Sequence, residues 1–275
     1  MHLKEFFNNL KYKKVINSKI KSGDFPIKST PDRYYFKDRY SLDMLSYDHV
    51  DDFKHKLNIV PYWGNANSDI FWNNDLLYLT YFTGENINTD FSALNMMINY
   101  NERVHYNSSK SKKSFIDAPM LSTKKNNHKY GYYSFLMKIP YNPYVNVVVR
   151  LVDGYSSSYI DVVNYENDKN RFNNTYSYYT IDGLIKTNSV KYKLPKNLVF
   201  DEYLEYGLLW EQDKLTYYIN GYPIKEITKN VNKLYGSGNM RIVVFMDVNK
   251  KYYMRDNYVI NAAILELKKI NYYEL

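Results

Sequence analysis

The segment Tyr159-Ile160-Asp161-Val162-Val163-Asn164-Tyr165-Glu166 holds the residues whose types and spacing come nearest to chemistry. Two carboxylates on one face of a strand can divide a hydrolysis between them, one as acid and base, the other as nucleophile. Alternate strand residues share a face at roughly 6.5–7 Å. A bulge slips in one extra residue and returns the next side chain to that face. With a bulge at Val162-Val163, Tyr159, Asp161, Asn164 and Glu166 all share one face. Asp161 and Glu166 then stand roughly 10 Å apart along the strand. Cleaving a glycosidic bond with retention needs carboxyls about 5–5.5 Å apart, and with inversion no more than about 9.5 Å. Tyr159 would need an acid partner to serve as a nucleophile, and Asn164 has no proton to give a leaving oxygen. The plainer roles are a hydrogen-bonded structural residue for Asp161 and a solvated strand-end charge for Glu166, beside Asn167-Asp168. Glu202 and Asp247 are further carboxylates that a rebuilt site could recruit.

These residues sit in a chain textured by short strand-like runs from Tyr62 onward. Examples are "YYSFLMKI" (132–139), "YVNVVVRLV" (144–152), "LTYYI" (215–219), "MRIVVFMDV" (240–248) and "AILELKKINYY" (263–273). Gly, Pro, Asn and Asp punctuate them. Asn220-Gly221 predicts a hairpin, because a type I′ turn needs positive φ at both central residues. Many short strands with few helical patterns mean a sandwich or jelly roll. Before that, Leu3, Phe6, Phe7 and Leu10 have the spacing of an amphipathic helix. We therefore expect an all-β protein: an antiparallel β-sandwich, residues 61–275, preceded by a short irregular or helical arm, residues 1–60.

Composition narrows the function classes. The chain has 275 residues, 45% of them hydrophobic and 24% charged, the balance of a globular protein. With no Cys, neither a disulfide framework nor a thiolate metal site can form. The five His are scattered without a zinc-like pair. A net charge of +8 is spread over small clusters at Lys11 to Lys14, Lys110 to Lys113 and Lys124-Lys125 rather than along one face, so no nucleic-acid partner is expected. No run approaches the ~20 apolar residues of a membrane span. The first residues lack the apolar core of a signal peptide. The expectation is cytoplasmic synthesis, with the product kept in the cell or carried out another way, for example in a virus particle.

Three segments, in order, resemble the laminarinase-type glycoside hydrolases of family 16, within the concanavalin A-like lectin/glucanase superfamily. "APMLSTKKNNHKYGYYSFLMKIP" (118–140) is similar to that family's "S…YGrfEaRiKlP" strand pair. "YIDVVNYE" (159–166) is similar to its "EIDIxE" strand. "EYLEYGLLWEQDKLTYYINGYPIKEI" (202–227) closely resembles its "FHtYgleWtpdkItwYvDGkpV" hairpin. "FWNNDLLYLTYF" (71–82) and the final "AILELKKINYYEL" are similar to outer strands, so the resemblance covers roughly residues 65–275. It implies two face-to-face antiparallel sheets, one bent into a polysaccharide cleft. Aligning Asp161 with the family's central Asp puts Tyr159 at its nucleophile and Asn164 at its acid/base. The family's tryptophan-rich "WPAFWL" stretch appears as Tyr144 to Arg150. Tyr155, Tyr176, Tyr178 and Tyr179 are candidate substitute stacking surfaces; Trp210 reads as core. The family often carries a structural calcium on its convex side; no acidic loop suited to one stands out, and no cofactor is expected.

The functional expectation is a non-catalytic jelly-roll module with a structural or interaction role. Its expected setting is a bacteriophage virion, as a tail or head appendage component. Its expected partners are protein neighbours in a homo-oligomer or larger complex, with residues 1–60 as the anchor, and cell-surface polysaccharide. The alternatives are an active glycoside hydrolase with a rebuilt carboxylate pair, using Asp161 and Glu166, and a free sugar-binding lectin.

Overall fold

The computed structural model describes residues 3–28, 30–31, 37–46, 52, 55–59, 70–71, 79–82, 84–90, 92–107, 110–124, 127–153, 158–166, 171–180, 182–193, 202–234, 240–248 and 263–275. Helix α1 (Leu3–Lys21) precedes strands that are numbered here in chain order. One sheet runs β16 (Tyr222–Ile227), β15 (Leu215–Ile219), β14 (Leu204–Trp210), β9 (Gly131–Lys138), β18 (Ala263–Glu274), β6 (Leu94–Asn107), β7 (Lys110–Ala118), β4 (Leu79–Phe82) and β3 (Ile70–Phe71). In the same sheet β1 (Lys37–Asp43) adds to β18 and β5 (Ile87–Thr89) to β6. The second sheet runs β13 (Ile185–Tyr192), β12 (Arg171–Tyr179), β11 (Tyr159–Glu166), β10 (Val145–Asp153), β17 (Met240–Val248), β8 (Met120–Thr123) and β2 (Leu57–Asn58). Among the described residues every pair is antiparallel except β4 with β7. This is the jelly-roll sandwich that the alternating strand patterns lead one to expect.

Alternation decides what fills the space between the sheets. Val145, Val147, Val149 and Leu151 of β10 point inward and are fully buried. They meet Tyr206, Leu208 and Trp210 of β14 and Tyr133, Phe135 and Met137 of β9 in one continuous core. Burying each such side chain contributes about 1.5–3 kcal/mol. Trp210 has no exposed surface and packs edge-on against Tyr130, 4.9 Å between ring centroids. It is a core residue, as its place beside the hairpin led us to expect.

Two glycines of the resembling segments have steric reasons. Gly131 adopts φ +155°, and a Cβ there would lie 2.1 Å from the Tyr273 carbonyl oxygen. Asn220 and Gly221, at φ 50° and 75°, turn β15 into β16 as the Asn-Gly pair predicts.

The boundary expected at residue 60 does not divide the packing. Leu42, Met44 and Leu57 belong to the common core, β1 is a strand of the first sheet and β2 of the second. Helix α1 lies along β16, the edge of the first sheet. There Asn9 stands in for a missing strand: its Nδ2 donates to the Glu226 carbonyl (3.2 Å) and its Oδ1 accepts the Glu226 N–H (2.7 Å). Glu5 accepts from the Thr228 N–H and hydroxyl, at 3.2 and 2.9 Å. An exposed sheet edge is thereby capped.

Candidate functional site

The bulge in β11 is real and is built by the sequence around it. Val163 pairs with Val149 while Asp161 pairs with Arg150, which leaves Val162 as the extra residue. The broken ladder is mended by Asn174 of β12, which has no exposed surface. Its Nδ2 donates to the Val162 carbonyl and its Oδ1 accepts the Asn164 N–H, both at 2.8 Å. Sequence reading overlooked Asn174. Its one signal is an amide at an inward position of a strand, between Phe172 and Tyr176.

Past the bulge, Tyr159, Asp161, Asn164 and Glu166 all lie on the face turned away from the core, opposite Val152, Arg150, Val148 and Asn146 of β10. Asp161 is the hub. It has no exposed surface, and its Oδ1 accepts from Arg150 Nε at 2.6 Å. Its Oδ2 accepts from the Thr175 N–H (2.8 Å), the Thr175 hydroxyl (2.6 Å) and Asn164 Nδ2 (3.3 Å). The Arg150 guanidinium sits 4.0 Å over the Tyr159 ring, a distance that adds a cation–π attraction. Tyr159 OH is 3.3 Å from Thr175 Oγ1. Among the described residues, Arg150, Thr175 and Asn164 thus all direct hydrogen bonds onto the Asp161 carboxylate. Arg150 and Thr175, also overlooked at the level of sequence, are its main partners.

Glu166 is held elsewhere. Arg171 Nε donates to it at 2.8 Å and Asn173 Nδ2 at 2.7 Å. Asn146 of β10 is registered with Glu166 on one side and with Asp247 of β17 on the other. Glu166 and Asp247 therefore share a face, two strand spacings apart, roughly 10 Å between backbones. Glu202 lies just before β14, in the other sheet, and does not join them.

The tyrosine expectation needs correction. Tyr176 and Tyr178 point into the sandwich, 1% and 4% exposed, because inward positions of β12 alternate with the face that carries Thr175. Tyr176 donates its hydroxyl to the Lys229 carbonyl at 2.6 Å and walls a cavity of about 820 Å³ near Lys191, Lys225 and Asn232. That cavity opens beside the edge strands β13 and β16, on the other side of β12 from Asp161. Neither ring offers a free face to a sugar. Tyr179, 36% exposed, does lie on the Thr175 side of β12. Tyr155 lies outside the described residues. Among the described residues no cluster of three or more His, Asp or Glu is disposed to hold a metal ion.

The fold and this face define a class: a two-sheet jelly roll whose bulged central strand carries a polar cluster on its outer side. Residues 78–250 match the model of glycosyl hydrolases family 16, and the chain belongs to that family. Its fold is shared with the laminarinase catalytic domain from Thermotoga maritima MSB8, at 16% identity and TM-score 0.65, covering 88% of this chain and 99% of that one. The endo-beta-1,3-glucanase from Pyrococcus furiosus aligns at 15% identity and TM-score 0.67, covering 90% and 98%. Porphyranase B from Zobellia galactanivorans aligns at 13% and 0.66, covering 90% and 97%. No curated protein matches the chain by sequence.

Proposed function

We propose that this chain is a family 16 module that keeps the glucanase scaffold without its hydrolytic chemistry and serves in binding or assembly. One observation carries the reading. The carboxylate of Asp161 is wholly buried and neutralised by Arg150, and its neighbours on that face are a phenol and an amide. Among the described residues, neither an acid for the leaving oxygen nor a free nucleophile stands beside it. The ligand class we propose is cell-surface polysaccharide, and the partners are protein neighbours in an assembly. The proposed setting is a bacteriophage virion, as a tail or head appendage component; the Tyr-, Asn- and Lys-rich composition supports it.

The test is reducing-end release from laminarin, agarose and a capsular polysaccharide, with binding to each followed in parallel. Binding without release is expected. Release that disappears in Asp161→Asn would overturn the reading.

A second reading rests on the shared face of Glu166 and Asp247. Their backbone spacing of roughly 10 Å is near the upper reach of an inverting pair at about 9.5 Å. It requires Glu166 to leave Arg171. Turnover that is lost in both Glu166→Gln and Asp247→Asn, yet kept in Asp161→Asn, would select it.

A further inference from the structure

Over its first three turns helix α1 is amphipathic in the unexpected sense: its polar side meets the protein and its apolar side faces out, whereas Ile16 and Ile20 pack inward further along. Leu3 is 76% exposed, Phe7 61%, Leu10 45% and Phe6 41%. These four stand at i, i+3, i+4 and i+7, one continuous stripe. The inward side of these first turns is polar for the reason given above. Capping a strand edge calls for hydrogen-bonding groups, and Asn8, Asn9 and Tyr12 supply them to Glu226, as Glu5 does to Thr228. That task asks for nothing apolar on the far side. A contiguous exposed apolar patch marks a contact surface.

Charge identifies what it contacts. Lys4, Lys11, Lys13, Lys14 and Lys21 are exposed on the same helix. Its one acid, Glu5, is turned inward. At 100° per residue, Lys4 and Lys11 flank the stripe on one side and Lys13 on the other, while Lys14 continues its line four residues past Leu10. A second copy of this chain would press like charges together. A protein groove fitted to the stripe would have to bury the Lys14 ammonium. A headgroup layer does neither, because lysine stems lie along the apolar boundary and their ammonium groups reach the phosphates.

We propose that α1 is a docking helix for an anionic lipid surface. It lies flat, with Leu3, Phe6, Phe7 and Leu10 entering the acyl boundary and the lysines resting on lipid phosphates. The helix, about 28 Å long, runs along the outermost strand of the sheet, so nothing of β16 lies between the stripe and a planar surface.

The test is co-sedimentation of the full chain with phosphatidylcholine vesicles holding about one-third phosphatidylglycerol, against phosphatidylcholine alone. Binding to the anionic vesicles only is expected, weakened about tenfold or more by roughly 0.5 M salt. The Phe7→Ser/Leu10→Ser variant, altered only at exposed positions, should lose affinity about tenfold with its melting temperature unchanged. Lys4→Gln/Lys11→Gln/Lys14→Gln should show a comparable loss on anionic vesicles. Absence of vesicle binding overturns the proposal. So does equal binding by the serine variant, which would mean attraction by the basic chain as a whole. Concentration-dependent dimerisation that the serine variant abolishes overturns it in favour of a second copy.

Discussion

Arg150 and Asp161 face each other across β10 and β11, Nε 2.6 Å from Oδ1, with the carboxylate fully buried and a quarter of the arginine side chain exposed. The pair makes the outer face of the bulged strand a stabilising element. Removing one partner of a buried pair costs about 3–5 kcal/mol, because the other charge is left uncompensated. Arg150 is not fully buried, so Arg150→Met should cost somewhat less, about 2–4 kcal/mol. Asp161→Asn keeps an acceptor for Thr175 and should cost about 1–3 kcal/mol. Urea denaturation measures both; an Asp161→Asn variant as stable as the parent would remove the structural role.

Glu205 predicts a pH dependence. Burial pushes its carboxyl up from an ordinary value of 4.5 to about 8, against the opposing hydrogen bond from Tyr132. A carboxyl raised in the folded state is protonated there while the unfolded chain has already ionised. Stability is therefore greatest below about pH 4.5, declines as pH rises from there to about 8, and then levels off. The total loss from this group is on the order of a few kcal/mol. Glu205→Gln removes the titration, so the variant should gain on the parent steadily over that window. Equal slopes for the two proteins in denaturation from pH 5 to 8 would contradict the assignment.

Gly131→Ala tests the Tyr-Gly pair of β9. The new methyl would lie 2.1 Å from the Tyr273 carbonyl oxygen and 2.8 Å from the Tyr272 ring, at a φ that side chains rarely adopt. Displacing backbone of β18, a central strand, should cost about 3 kcal/mol or more. The melting temperature should fall accordingly, whereas Gly183→Ala, with open space around its Cβ, should lose only the roughly 1–2 kcal/mol of a side chain held at φ +73°.

Asn9→Ala should uncap the sheet edge. It deletes both hydrogen bonds to the Glu226 backbone, at a cost of about 1–3 kcal/mol. Hydrogen exchange at the Glu226 amide should accelerate while that of the β9 amides stays as in the parent. Unchanged protection at Glu226 would mean that water replaces the asparagine.

How far the sequence could be read differs from place to place. The strands Val145–Asp153 and Met240–Val248 announce themselves by apolar runs with only a few polar interruptions, and the Asn220-Gly221 turn by its chemistry. The bulge could be anticipated from which residues needed one face. Its mending by Asn174 could not, because a buried amide looks like any polar strand residue until its partners, ten or more positions away, are in place. Tyr176 and Tyr178 illustrate the same limit: alternation says that two tyrosines share a face, and only the register of β12 on β11 says which.

The amino-acid sequence alone determined the sandwich, its hairpin, the strand that carries Asp161 and the spacing of a helix at Leu3 to Leu10. These follow from local periodicity and turn sterics, which need no distant partner. Tertiary structure alone decided that Asp161 is locked by Arg150 and Thr175, that Glu166 answers to Arg171, and that the apolar stripe of α1 faces outward. In each case the deciding force is a hydrogen bond or ion pair between strands or between helix and sheet edge, and such contacts exist only once register and docking have brought the groups together.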